Sequence, residues 1–383
     1  ILNYIPYDDR DQWEKVLLQQ RSLYYTFVND LILEPSSEEI ETARKSRVVD
    51  DHPLSAAPES KWASFFEEMG VLEQIDKDVR RTLPDFAFFQ LPVAFSLHSP
   101  LTLHNPTPAV TSPASSPATP TTAPLASAYP SIRARRALFK RIAYLHTDED
   151  FGARSHARSP DSPDPKEEQQ QNEDTRGDLH WEAIERILFL HSKLNPGVGY
   201  VQGLNEILGP VYYVMATDPD LASRAHAEAD AFFVFSAIIT EFRDHFIRSL
   251  DGVSAGRLSR ASSASDLGVV SGRRKSASEV ATSAGGTDSG IGASMGRLMR
   301  ALRERDLPLW KDLQLKNIHP AFFAFRWLTV LLTQEFSLPD VIRLWDSILA
   351  DVALDNRGTA PPSGGKREGR FEFLIDFCCA MLM

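Results

Sequence analysis

Three stretches of this chain decide what the rest of it can become. Residues 96–130 are Pro, Ser, Thr and Ala with few large apolar groups. Residues 152–177 are polar and carry Lys166-Glu167-Glu168 and a short glutamine run, and residues 252–292 are rich in Ser, Gly and Arg. Ten of the 25 prolines fall between Pro84 and Pro130. Such segments bury too little surface to offset the entropy of ordering them, so they read as disordered insertions. The remainder of the 383 residues is ample for one large core, provided that helices close across the gaps.

Between the insertions, apolar residues recur at helical spacing. Residues 11–33 carry a stripe of Trp13, Leu17, Tyr24, Phe27, Val28 and Leu31, followed by a short polar helix after Pro35 and a mixed loop over 42–58. Ser60 caps a helix with Trp62, Phe65, Phe66 and Met69 on one face, which Gly70 is expected to end. A second helix with Leu72, Ile75 and Val79 follows, limited by Pro84. Residues 132–145 resume the pattern through Leu138, Ile142 and Leu145. Arg133, Arg135, Arg136, Lys140 and Arg141 make this the most basic element, either a solvated face or a surface for an acidic or lipid-headgroup partner.

The stripe Trp181, Ile184, Ile187, Leu188, His191 and Leu194 ends at Asn195-Pro196-Gly197. Residues 200–216 are apolar on nearly every side, which predicts a helix central to the core. Gln202 and Asn205 are its conspicuous polar residues, bonded either to neighbouring backbone or held there for a purpose. Further helices are expected over 231–250, 295–310, 320–336, 338–349 and 371–383. With no internal repeat and no strand series, the reading is an all-α fold.

Composition narrows the function classes. A net charge of −11 and a pI near 5.4 exclude a general nucleic-acid binder. Adjacent Cys378 and Cys379 make neither a disulfide framework nor a zinc site. No apolar run approaches the roughly 20 residues that span a bilayer, and Asn-x-Ser/Thr with a non-proline middle residue is absent. A reducing, cytosolic setting fits all of this. Because the chain opens on Ile1 and stops within an apolar segment, it is expected to be a fragment at both ends.

Two motifs stand out. In Ile75-x-x-Asp78-x-x-Arg81-Thr82, Asp78 and Arg81 lie three apart, within reach of each other on one side of a helix. Alone, that is an ordinary salt-bridged turn. Farther on stands Gly199-Tyr200-Val201-Gln202-Gly203-Leu204-Asn205. The two motifs in this order, each in apolar helical context, resemble the paired fingerprint of the TBC domain, the catalytic domain of Rab GTPase-activating proteins. The resemblance continues through Arg326-Trp327 and Arg343-Leu344-Trp345-Asp346 and extends, with interruptions, over residues 1–383. The family's usual Met after the Gly is Leu204 here, a volume-conserving change. The family's N-terminal signature, an Arg with a following Trp, is missing.

The resemblance implies an all-α domain of two helical lobes that activates a Rab-family small GTPase in its GTP form, and so regulates membrane traffic. It implies a GTPase activator rather than a free-standing enzyme. Arg81 would be the arginine finger and Gln202 the glutamine finger, with Asp78, Thr82, Tyr200, Gly203 and Asn205 in support. Spacing from Ile75 and Asp78 picks Arg81 over its neighbour Arg80. No cofactor of the chain's own is expected, since GTP and Mg belong to the partner. The setting would be cytoplasmic, with peripheral endomembrane contact at most. The other reading is an idle helical adaptor that binds a GTPase without stimulating it; a pure binder needs neither finger.

Rival signals are weaker. Gly292-Ala293-Ser294-Met295-Gly296 matches a hydrolase nucleophile elbow, which requires a preceding strand that is not expected here. There is no His-Glu-x-x-His helix and no Walker loop. Arg260-Ala261-Ser262 and Arg273-Arg274-Lys275-Ser276 resemble basophilic kinase sites, set in what otherwise reads as an unmodified tether.

Overall fold

The computed structural model describes residues 9–32, 61–82, 86–94, 96, 98–101, 132, 133, 135, 136, 178–246, 290–356 and 371–383. The expectations for residues 33–60, for 137–145 and for the bulk of the three insertions fall outside these. The described residues are helical, with a lone antiparallel bridge between Pro92 and Leu179. They form two compact units, Asp9–Val234 and Phe235–Met383.

In the first unit, α1 (Trp13–Leu31) follows a 3-10 turn at Arg10–Gln12 and buries Tyr24, Tyr25 and Val28. Trp13, expected on the buried stripe, is exposed. Helix α2 (Lys61–Val79) runs straight through Gly70, correcting the expected stop there. Phe65, Met69, Leu72, Ile75 and Val79 make one continuous buried stripe, whose packing outweighs the roughly 1 kcal/mol that an exposed mid-helix glycine costs. Helix α3 (His180–Leu194) packs against α1, α2 and α4 (Leu204–Ala216). It begins where the Glu182 carboxylate accepts the Leu179 backbone N–H at 2.8 Å and stops as expected, with Asn195 N–H returning to His191 O at 3.0 Å.

Helix α3 is not merely striped: every residue from His180 to His191 is buried. Its acidic side is covered by the segment expected to be a solvated or partner-binding basic face. Arg133 pairs with Glu182, Arg136 with Asp76 (2.5 Å) and Glu182 (3.0 Å), and Arg135, 1% exposed, with Glu68 (2.5 Å). Arg186 is held between Asp178 (2.9 Å) and Glu228 (2.6 Å). These arginines therefore serve internal carboxylates, not external ones, because buried carboxylates need compensating charge. One carboxylate is less well served. Glu185 is fully buried, and neither of its oxygens makes a hydrogen bond among the described residues. Arg136 stands 3.3 Å away. Burial, opposed by Arg136 and reinforced by Asp76 and Glu182, pushes the Glu185 carboxyl up to about 8.

Short α5 (Leu221–Arg224) is capped by Asp220, and α6 (Ala227–Glu241) crosses into the second unit. The helix expected over 231–250 breaks at Phe242, and α7 (Arg243–Phe246) follows. Helix α8 (Ile291–Arg305) begins inside the third supposed insertion, burying Ile291, Ser294, Leu298 and Leu302. The nucleophile-elbow match lies within this helix with its serine buried. The expected 295–310 helix is broken at Asp306, whose carboxylate caps α9 (Leu307–Leu315) through Leu309 N–H at 2.9 Å. The expected 320–336 helix is only a 3-10 turn (Pro320–Phe322) and α10 (Ala324–Thr329). Beyond it Leu331 and Leu332 take φ of 51° and 64°. They are buried, and the Trp345 indole N–H of α11 (Leu338–Asn356) donates to Leu331 O at 2.9 Å. Helix α12 (Glu372–Ala380) packs on α8, burying both cysteines, and Phe371 stacks on Phe242 at 3.8 Å.

Candidate functional site

Both motifs lie in the first unit, at the end of α2 and in the turn before α4. Helix α2 ends at Val79 because its hydrogen bonding tightens there. Arg80 N–H still reaches Asp76 O at 3.1 Å, but Arg81 N–H closes on Asp78 O at 3.0 Å and Thr82 N–H on Val79 O at 3.0 Å. Arg81 therefore sits in the turn beyond the helix, its side chain 70% exposed. Its Nε donates to Lys77 O at 3.0 Å and one terminal nitrogen to Asp78 Oδ1 at 2.7 Å, as the three-residue spacing predicts.

The second motif is not the first turn of its helix. A turn closed by Leu204 N–H on Val201 O at 3.2 Å comes first, and α4 starts only at Leu204 because Gly203, its cap, has φ 104°. A side chain there would be strained. Gln202 is exposed and makes no hydrogen bond among the described residues.

Four supporting residues join the two motifs. Tyr200 donates its hydroxyl to Asp78 Oδ2 at 3.0 Å, so one carboxylate, almost wholly buried, is divided between Arg81 and Tyr200. Burial first, and then the Asp78 charge, raises the Tyr200 phenol, which keeps the proton it donates. Asn205, also buried, accepts the Gly203 N–H at 3.1 Å and donates to Thr82 Oγ1 at 2.8 Å and Glu206 Oε1 at 3.1 Å. Thr82 in turn donates to Asp78 O at 3.2 Å. The polar side chains at the mouth of α4 thus have a purpose for Asn205, which bonds across the motifs as well as to its own turn. The arrangement presents a permanent cation and a free amide on exposed turns fastened to a common buried base.

Comparison with known proteins bears on this arrangement. A Rab-GTPase-TBC domain model matches residues 162–256 and 286–382. Human TBC1 domain family member 13 is 35% identical over 100% of this chain and 78% of its own length. The chain belongs to the Rab-GTPase-TBC domain family. A TBC domain-containing protein of Schizosaccharomyces pombe is also 35% identical over 100% of this chain and 60% of its own length. The GTPase-activating protein gyp1 of the same yeast is 25% identical over 52% of this chain and 32% of its own length. Among solved structures, the Ypt/Rab-GAP domain of Gyp1p aligns with a TM-score of 0.46 at 16% identity, covering 100% of this chain and 71% of that one. The matched TBC residues take in Gln202 but begin after Arg81; the relatives aligned over the whole chain span both. Among the described residues no helix is long and apolar enough to cross a membrane.

Sequence reasoning passed over the neighbours that hold the Arg81 turn from behind. The Arg80 guanidinium lies 4.2 Å from the centre of the Trp181 ring and its Nε donates to both Asp76 oxygens at 3.0 Å. The i, i+4 spacing of Asp76 and Arg80 was a usable signal; the indole 101 positions away was not.

Proposed function

We propose that the chain activates GTP hydrolysis by a Rab-family small GTPase in its GTP form, supplying Arg81 and Gln202 in trans. Phosphoryl transfer to water needs little covalent help but does need positive charge where charge develops on the β–γ region. A guanidinium suits this, being permanently charged, planar and multi-donor. Gln202, exposed and with no hydrogen bond to its amide among the described residues, suits the orientation of an attacking water. Asp78, Thr82, Tyr200, Gly203 and Asn205 bind nothing from the partner in this reading; they keep both turns in place. GTP and Mg come with the GTPase, and the chain contributes no cofactor. It acts from the cytoplasm on GTPases of membrane traffic, touching endomembranes peripherally or through its partner.

The observation that carries this reading is the division of one buried carboxylate, Asp78, between the Arg81 turn and the Gln202 turn. A surface built only for binding has no use for so rigid a joint beneath two exposed side chains. The test is phosphate release from a panel of GTP-loaded Rabs mixed with the chain. Acceleration of one or more is expected. Binding to a Rab without acceleration would make the chain a helical adaptor instead.

A further inference from the structure

Arg80 and Arg81 are consecutive, yet they are treated in opposite ways. Arg81 is held by Asp78 and projects outward. Arg80 is laid over the Trp181 ring and bonded to Asp76. Arg136 stands 4.9 Å from the centre of the same ring, and its Nη1 donates to Asp76 Oδ1 at 2.5 Å. Two guanidiniums sharing one indole would repel each other without the carboxylate between them. The Asp76 carboxyl is held below its usual value by the hydrogen bond from Arg80 and the charges of both arginines, against the opposing effect of burial. Glu182 accepts from the other terminal nitrogen of Arg136 at 3.0 Å and so holds its far end. Trp181 itself is buried, in the first turn of α3.

We propose that Trp181 is a positioning residue for Arg81, acting through Arg80; this rests on the reading of Arg81 as the finger. Arg81 follows Arg80 directly in the tightened turn, so anchoring Arg80 on the indole sets the direction in which Arg81 emerges. The anchor also keeps Arg80, half-exposed and as long as Arg81, from displacing it on Asp78. Trp181 and Asp76 thereby choose which of two adjacent arginines meets the GTPase.

The experiment is single-turnover GTP hydrolysis by a stimulated Rab at varied concentrations of the chain, with thermal unfolding alongside. Arg80→Ala, on a side chain exposed enough to be replaced without unfolding, should lower the maximal rate by about 10- to 100-fold, the scale of misplacement by an ångström or so. The half-saturating concentration should hardly move. Trp181→Leu should act in the same direction, and Trp181→Phe, which keeps a ring under the cation, should recover most of the rate. In an Arg81→Ala background, Arg80→Ala should cause no further loss. Native rates for Arg80→Ala and Trp181→Leu beside a collapsed Arg81→Ala would overturn the positioning role and leave the finger standing. A further loss in the Arg81→Ala background would mean that Arg80 meets the GTPase itself, which also overturns it. A native rate for Arg81→Ala would bring down the finger reading, and this inference with it. If Trp181→Leu has no cooperative melting transition, Arg80→Ala and the double variant decide.

Discussion

Replacing Asn205 with leucine, which has the same branching and number of heavy atoms, removes one of the two side-chain ties between the motifs, the Asn205–Thr82 bond, and leaves the Tyr200–Asp78 bond in place. The buried Gly203 N–H loses its acceptor at 3.1 Å. An orphaned buried donor costs about 1–3 kcal/mol. Thr82 loses the amide at 2.8 Å but keeps its own bond to Asp78 O at 3.2 Å, so that side adds only about 0.5–1.5 kcal/mol. Glu206 is half-exposed and turns to water at little cost. The total, about 2–4 kcal/mol, is below the stability of an ordinary domain, so Asn205→Leu should fold. Two readouts follow. Urea unfolding gives the loss of stability, and hydrogen exchange at Gly203 reports the freed amide. Single-turnover hydrolysis should fall by about 100-fold, because the two turns are then held to each other only through Tyr200 and Asp78. Asn205→Asp keeps the acceptor for Gly203 but aims a carboxylate at Thr82 beside Asp78 and Glu206, and should be at least as damaging. A stability within about 0.5 kcal/mol of native, with Gly203 still protected, would refute the assignment of that bond, since surface changes that break nothing fall in that range.

Other expectations concern the fingers, one buried acid and the insertions. Arg81→Ala and Gln202→Ala should each cut GTP hydrolysis, by about 10³ or more for the arginine, without altering the far-UV circular dichroism; Arg81→Lys should fail nearly as badly because an ammonium lacks the planar fork. Glu185, at about 8 when folded against 4.5 as a free side chain, holds a proton in the folded state that the unfolded chain releases. Stability should therefore be full below about pH 4.5 and decline by a few kcal/mol as pH rises through about 8. Glu185→Gln should flatten that decline, read as the difference in urea midpoint between the two proteins from pH 5 to pH 9. Taking the difference cancels His180 and His191, which burial lowers to about 4 and which act oppositely, losing stability as pH falls. Replacing 102–130, or 252–289, with a short Gly/Ser linker should leave cooperative thermal unfolding intact; its loss in both would overturn the division of the chain into core and insertions.

How much of this was legible beforehand depended on distance along the chain. The Asp78–Arg81 pair is a three-residue spacing and was readable as such. So were the stripe of α2 and the stop after Leu194. The stop at Gly70 was misread because local propensity is weak beside a buried stripe that continues on both sides. Arg133, Arg135 and Arg136 were assigned outward because their carboxylates lie 46 to 67 positions away. Composition in a window cannot contain such partners. The start of α4 was placed early for another reason: apolar periodicity runs through residues 200–203, while the left-handed φ of Gly203 that ends the turn has no periodic signature.

The two left-handed leucines of the second unit bear on the order of folding events. Left-handed backbone costs a non-glycine residue roughly 1–2 kcal/mol, so nothing local favours Leu331 and Leu332 in that shape. What favours it comes later in the chain: the Trp345 indole on Leu331 O at 2.9 Å and burial within the unit. The segment should therefore settle only after α11 has docked, on the native side of the folding barrier. Leu332→Ala would then hasten unfolding and leave the refolding rate almost unchanged, so the lifetime of this unit is set where its backbone is least at ease.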